Sequence, residues 1–279
     1  MMENKKFKYK IENKRYHTWN YYLREKFGTK VFKVSINAGF TCPNIDGSIS
    51  YGGCAYCSKD GSGDFAGNPR DNLVKQFKDI KEMMEKKWPQ AKYIGYFQAF
   101  TNTYAPLEVL KDKYETILDQ DGVVGLSIST RPDCIDDDIL DYLAQLNTRT
   151  NLWVELGLQT VHDQTSNIIN RGHGLDVFVD CVNRLRSREI EVVAHVINGL
   201  PGETYDMMME TIRRVSHMDI QGVKIHLLHV IKGTPMVNML NKGELKLLSK
   251  EEYVDLVCDQ LEILPQEMVI HRLTGDGKK

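Results

Sequence analysis

The 279-residue sequence predicts an α/β fold, a partial (β/α)6 TIM-like barrel with an open polar lumen. Three observations predict it. Six short apolar runs recur along the chain, and after the first interval their centres lie 28 to 40 residues apart. The stretches between them repeat apolar residues at helical spacing, which is typical of parallel βαβ units. Most of the runs also carry a polar face.

The polar face is what distinguishes a barrel from an open sheet. In the fourth run, Glu155 and Gln159 alternate with leucine and valine. Parallel strands covered by helices on both sides are expected to be apolar on both faces. A doubly wound sheet therefore explains the helices but not the polar residues, whereas a lumen explains both. Buried charges such as Lys33 and Lys224 require partners or ligands there. The predicted strands are centred near Val34, Gly95, Leu126, Val154, Ala194 and Ile225.

Five helices are predicted between the strands and one after them. Pro106 suits the first turn of the second helix, and the acidic run at residues 136–138 suits the start of the third. Cys181 falls on the apolar stripe of the fourth, so it is interpreted as a core residue. The helices cover residues 73–84, 107–118, 139–146, 177–185, 208–215 and 249–264.

A loop rich in Gly, Pro, Asn and Asp follows the first strand and carries three cysteines, Cys42, Cys54 and Cys57. A closed zinc site requires four Cys or His ligands, and this loop offers three. Three thiolates with one open position suit an iron–sulfur cluster or a catalytic metal. The spacing leaves three alternatives open: a cluster, zinc, or inert thiols. In barrels of this kind the site lies at the carboxyl ends of the strands.

The composition predicts a protein of the cytoplasm with no membrane partner. No apolar run reaches the ~20 residues of a membrane span, and the start of the chain lacks an apolar signal core. Six cysteines without a framework spacing indicate a reducing compartment. Residues 1–33 hold ten Lys or Arg against three Glu, interleaved with aromatic residues. That pattern suits phosphate contact and base stacking, or an arm whose aromatics cap the fold.

The motifs GFTCPNIDG, GGCAYC, FQAFTNTYAP, STRPDC, VELGLQT, NRGHG, HVINGLPGET and HLLHVIKGT carry a resemblance to a known family. The chain resembles the radical S-adenosylmethionine (SAM) superfamily, and within it the YtqA/YhcC type, related to the Elongator catalytic subunit. The usual CxxxCxxC motif is lengthened here, since eleven residues separate Cys42 from Cys54. The resemblance implies a basic extension at residues 1–30, a radical SAM core at 31–235 and a C-terminal extension at 236–279.

The resemblance also implies cofactors and their ligands. Cys42, Cys54 and Cys57 would hold a [4Fe–4S] cluster, which cleaves bound SAM to a 5′-deoxyadenosyl radical, and a flavodoxin or ferredoxin would supply the electron. By position in the motifs, the expected SAM contacts are Tyr56, Gln98, Ala99, Thr101, Ser129, Arg131, Gln159, Arg171, His195 and Leu228. His162, His217 and His271 are expected at the surface.

The implied substrate is tRNA, modified on a 5-carboxymethylaminomethyl side chain of the wobble uridine. The basic aromatic segment agrees with an RNA partner. Two alternatives are a radical SAM enzyme for a small metabolite and a non-catalytic, metal-stabilised RNA-binding protein. Salt-sensitive tRNA binding separates the first two readings, and SAM turnover separates both from the third.

Overall fold

The computed structural model describes residues 8–9, 14–63 and 66–275. Within them, seven parallel strands form one curled sheet in which every strand pairs with its neighbour in the sequence. The predicted partial barrel is confirmed, with one strand more than the six expected. The strands are β1 (Val31–Ile36), β2 (Lys92–Phe97), β3 (Val123–Thr130), β4 (Asn151–Gln159), β5 (Glu191–Asn198), β6 (Gly222–Leu227) and β7 (Val269–Arg272).

All six predicted helices form, and three further helices appear beside them in the described residues. Asp136 caps the helix it was expected to begin, since its side chain accepts a hydrogen bond from the Ile139 backbone N–H at 2.9 Å. The helices are α1 (Trp19–Phe27), α2 (Leu73–Glu85), α3 (Leu107–Leu118), α4 (Asp137–Asn147), α5 (Asp163–Ile168), α6 (Leu175–Arg186), α7 (Tyr205–Ser216), α8 (Pro235–Asn241) and α9 (Lys250–Ile263). None of these described helices is long and apolar enough to cross a bilayer.

The apolar strand faces pack outward against the helices, as the period-two pattern predicts. Leu126, Val154 and Ile225 are fully buried in this layer. The packing is close at β2, where a Cβ on Gly95 would lie 2.3 Å from the Ile117 side chain of α3. Burial of this apolar layer stabilises the barrel by about 0.8 kcal/mol per methylene group. The opposite face of each strand is left to form the lumen.

Helix α1 closes the lumen at the amino ends of the strands. The Trp19 ring stacks on His271 at 4.0 Å and meets Trp153 edge-on at 5.3 Å. Tyr22 also meets Trp153 edge-on at 5.3 Å. These contacts support the capping interpretation of the two α1 aromatics rather than base stacking. The surface expectation for His271 is wrong, because β7 carries this residue into the lumen beneath α1.

The predicted division of the chain into a core and two extensions, with boundaries after residues 30 and 235, stays a prediction. The structure shows that both predicted extensions pack on the same sheet. Thr18 forms a parallel bridge with Ile270, and the Ile270 N–H donates to the His17 carbonyl at 2.8 Å.

Candidate active site

A cavity of about 290 Å³ opens at the carboxyl ends of the strands and runs down into the lumen. Cys42, Cys54 and Cys57 line its outer part, and Glu155 and Lys224 line its floor. Parallel strands all end at this edge, so short loops bring residues from distant parts of the chain together. The cysteine loop and the polar lumen therefore line the same cavity.

The cysteine loop is held in place by two asparagines. The Asn44 side-chain amide donates to the carbonyls of Asn170 (2.7 Å) and Arg171 (2.9 Å) and reaches Cys54 Sγ at 3.4 Å. The Asn170 side chain donates in return to the Gly53 carbonyl at 2.9 Å. These bonds tie the loop after β1 to the segment after α5, so the position of Cys54 depends on both.

The three loop thiols form a donor set at one cavity. No cysteine forms a disulfide, and all six lie in the described residues. Among those residues, no three His, Cys, Asp or Glu side chains stand close enough to bind a single metal ion. An iron–sulfur cluster instead takes each cysteine on a separate iron. The donor set around this cavity therefore fits such a cluster.

Burial and a neighbouring positive charge have opposite effects on the pKa of the Cys54 thiol. Burial raises the pKa of the Cys54 thiol, while the Arg131 guanidinium and the Asn44 amide lower it. Iron binds the thiolate form, so these two neighbours favour the ligand state. Two of the other cysteines lie on helices away from the loop: Cys181 is buried in α6 and Cys258 is exposed on α9. Cys134 follows β3 and lies closer, since Arg131 and Cys42 both influence the pKa of its thiol.

Nine of the ten predicted SAM contacts line the cavity: Tyr56, Gln98, Thr101, Ser129, Arg131, Gln159, Arg171, His195 and Leu228. The tenth, Ala99, is fully buried and is not part of the cavity wall. Ala99 packs under the cysteine loop. A Cβ added to Gly63 would lie 2.5 Å from the Cβ of Ala99.

Gln159 has the features expected of a ligand-binding residue. It adopts a left-handed backbone conformation with φ +59° at the end of β4, where the register with β5 shifts. Its Oε1 is buried and has no hydrogen-bond partner in the described residues. Strained backbone and orphaned polar atoms concentrate at functional sites. Gly157 makes room for this side chain, because a Cβ there would lie 2.6 Å from Gln159 Nε2.

Two arginines stand behind the cysteine loop. Arg131 pairs with Asp133 at 2.6 Å and donates to the Arg171 carbonyl at 2.7 Å. Arg171 is 1% exposed, and its guanidinium donates to the carbonyls of Leu158, Thr160 and His173. Its hydrogen bonds therefore fix the end of β4 against the following loop. A contact between Arg171 and SAM stays a prediction.

The floor of the lumen is a buried network centred on Glu155. One carboxylate oxygen accepts from Lys33 and Ser127, and the other accepts from Lys224 and lies 2.7 Å from His195 Nε2. Burial opposes ionisation of this carboxyl, but the charges of Lys224 and Lys33 hold its pKa well below the usual range. Glu155 is therefore ionised. Each of these partners comes from a different strand, as the alternating polar face predicts.

Several site residues were missed by the sequence analysis. Tyr96 lies on β2, two residues before Gln98, and its hydroxyl accepts from Lys224 Nζ at 3.0 Å. The period-two pattern was sufficient to find it. Arg272 lines the cavity from β7, a strand that the sequence analysis did not place in the barrel. Asn44 had no signal beyond its place in the cysteine loop.

Comparison with known proteins identifies related chains. The model described as the Radical SAM superfamily matches residues 49–215, and that described as the Radical_SAM C-terminal domain matches residues 220–279. The protein YtqA of Bacillus subtilis (strain 168) is 61% identical over 277 residues, which cover 99% of this chain and 86% of that protein.

Two more distant similarities involve archaeal proteins. The tRNA uridine(34) acetyltransferase of Methanocaldococcus infernus is 29% identical over 157 residues, which cover 55% of this chain and 29% of that protein. The solved structure of Methanocaldococcus infernus Elp3 with an N-terminal deletion matches with a TM-score of 0.64 at 18% identity, covering 88% of this chain and 56% of that one. This structural match shows the shared fold.

Proposed function

This chain belongs to the radical SAM superfamily, and from that premise we propose that it binds a [4Fe–4S] cluster through Cys42, Cys54 and Cys57 and uses it to cleave SAM. The observation that carries the proposal is that three loop thiols and a polar lumen share one cavity. A cluster held by three protein thiolates keeps one iron open for a ligand. A reducing electron donor, a flavodoxin or ferredoxin, and a cytoplasmic setting belong to the same proposal.

When bound, such a cluster supplies the electron that splits SAM and so produces a 5′-deoxyadenosyl radical. The chain's own residues position the reactants and exclude water. Helix α1 seals the lumen from below through Trp19 and Tyr22. Gln159 Oε1 offers an unsatisfied acceptor at the mouth of the lumen. We propose as SAM contacts the ten residues named from the motifs, with Ala99 acting through the loop it supports.

The cleavage of SAM tests this proposal. Protein reconstituted with iron and sulfide under anaerobic conditions, then reduced with dithionite, is expected to release 5′-deoxyadenosine from SAM. Cys42→Ala is expected to abolish the product, because one cluster ligand is lost. Cys258→Ala is the matched control, since Cys258 lies exposed on α9. Equal product from both variants would refute the assignment of the loop.

For the substrate we propose tRNA, modified on a 5-carboxymethylaminomethyl side chain of the wobble uridine. Supporting this, the related Methanocaldococcus infernus protein is a tRNA uridine(34) acetyltransferase. Charge also supports it: residues 1–33 carry a net +7 (ten basic, three acidic), whereas the whole chain carries −2 and the remainder therefore −9. An unpaired anticodon base enters a deep site at little cost.

The described part of the basic segment lies at the far end of the barrel from the cysteine loop. Lys26 and Lys30 flank the amino ends of the strands with α1, and Lys33 is in the lumen. Lys5, Lys6 and Lys10 fall outside the described residues. The small-metabolite enzyme and the metal-stabilised RNA-binding protein are the competing functions. Nucleoside mass spectrometry of tRNA from a strain lacking the gene decides for or against tRNA, since an unchanged profile contradicts it.

A further inference from the structure

Positive charge outnumbers negative charge at the floor of the lumen. Lys224 and Arg272 line the cavity here, and Glu155 is the one Asp or Glu among the described residues that line it. Lys33 lies beyond the cavity wall, where it contacts Glu155. Both lysines bind Glu155, one through each carboxylate oxygen. Arg272 forms no ion pair with a described residue.

Of these three cations only the two lysines are buried, because Arg272 is exposed at the end of β7. Lys224 is 5% exposed, and the side chain of Lys33 is 16% exposed. The two buried lysines share the single carboxylate of Glu155, and buried charge that is not fully neutralised costs several kcal/mol. The nearby rings do not supply the missing charge, since Tyr96 is neutral and His195 already faces Glu155. When Lys33 is protonated, the two lysines therefore share one negative charge, and Arg272 adds a further cation at the cavity wall.

We propose that Lys224 and Arg272 form a subsite for a carboxylate carried by the substrate. A carboxylate is compact enough for the lumen, and its two oxygens accept hydrogen bonds from ammonium and guanidinium groups together. The subsite faces the same cavity as the cysteine loop, so it would orient the substrate carbon beside that carboxylate toward the site of radical formation. The inference rests on the proposed function and names the substrate class for it.

The test uses the reconstituted protein saturated with SAM, so that the carboxylate of SAM is already bound. The probes are an anticodon stem-loop carrying 5-carboxymethylaminomethyluridine and the same stem-loop with the carboxylate replaced by a carboxamide. Wild-type protein is expected to bind the carboxylate probe at least about tenfold more tightly, which corresponds to one ion-paired hydrogen bond. Lys224→Met and Arg272→Met are each expected to bring the ratio toward one.

The ratio of the two affinities distinguishes recognition of the carboxylate from an effect on folding. A merely structural role of Lys224 would weaken the binding of both probes equally. Lys75→Met, on the outer face of α2, is the matched control and is expected to keep the wild-type ratio. A wild-type ratio near one, or a ratio that survives both lumen substitutions, overturns the subsite.

If neither stem-loop binds, the tRNA substrate is refuted and the subsite is tested separately. The probes are then N-acetylglycine and its amide, measured by calorimetry on the same protein. A preference for the carboxylate that Lys224→Met removes supports the subsite without tRNA. Equal binding of the two, or no binding of either, overturns it.

Discussion

His195 Nε2 lies 2.7 Å from Glu155 Oε2, on the oxygen that also accepts from Lys224. The Glu155 carboxylate, on β4, thus contacts residues from β1, β3, β5 and β6 at the floor of the lumen. The strands are placed by their apolar faces, but the lumen depends on this single negative charge.

Glu155→Gln is expected to destabilise the protein far more than Lys224→Met. Removal of the carboxylate leaves Lys33 and Lys224 buried without a counterion, which costs about 3–5 kcal/mol of unfolding free energy. Removal of Lys224 leaves Glu155 paired with Lys33, so the cost should be about 1 kcal/mol or less. Urea titrations of the two variants measure the difference. A larger loss in Lys224→Met would show that Glu155 needs both lysines.

Acid is expected to destabilise the protein through His195. Burial and the charge of Lys224 lower the pKa of His195 to about 4, below the ordinary value of 6.5. Between pH 6.5 and about 4, the histidine is therefore protonated in the unfolded chain but neutral in the folded protein. The free energy of unfolding falls as the pH is lowered through this range. The loss amounts to about 3 kcal/mol for this group. His195→Asn is expected to flatten that part of the pH profile, and an unchanged slope would contradict the assignment.

The affinity for a carboxylate probe is expected to fall as the pH rises above 7. Burial lowers the pKa of Lys33 to about 7, so the ammonium is lost near neutrality when no ligand is bound. Binding measured at pH 6.5, 7.5 and 8.5 tests this. A flat profile would show that the charge of Lys33 does not support binding at the subsite. The groups that face Lys33 are Glu155, Lys224, Arg272, His271, Tyr96 and Trp19.

Asn44→Ala is expected to loosen the cysteine loop. The Asn170 carbonyl loses its side-chain donor and the Arg171 carbonyl keeps the one from Arg131, so the cost is about 1–3 kcal/mol. Iron retained per chain after gel filtration should fall along with the melting temperature. Asn238→Ala, exposed on α8, is the control. Full iron retention in Asn44→Ala would mean that the cysteines hold the loop unaided.

The sequence predicted the polar lumen because period-two alternation is a local property. Lys33, Glu155 and Lys224 could be assigned to one lumen without knowledge of their contacts. Helix α1 and strand β7 were not placed, because their positions depend on each other across about 250 residues. Thr18 bridges Ile270, and no local pattern reports such a contact. For the same reason His271 and Arg272 could not be placed in the barrel.

The most direct test of the account is the iron and sulfide content of the six single cysteine-to-alanine variants after anaerobic reconstitution. We expect about four irons and four sulfides per chain in the wild type and in the Cys134, Cys181 and Cys258 variants. Loss of the cluster is expected in each of the Cys42, Cys54 and Cys57 variants, which lack one ligand from the cavity. A cluster that survives loss of a loop cysteine, or one that disappears with Cys134, Cys181 or Cys258, would contradict the assignment.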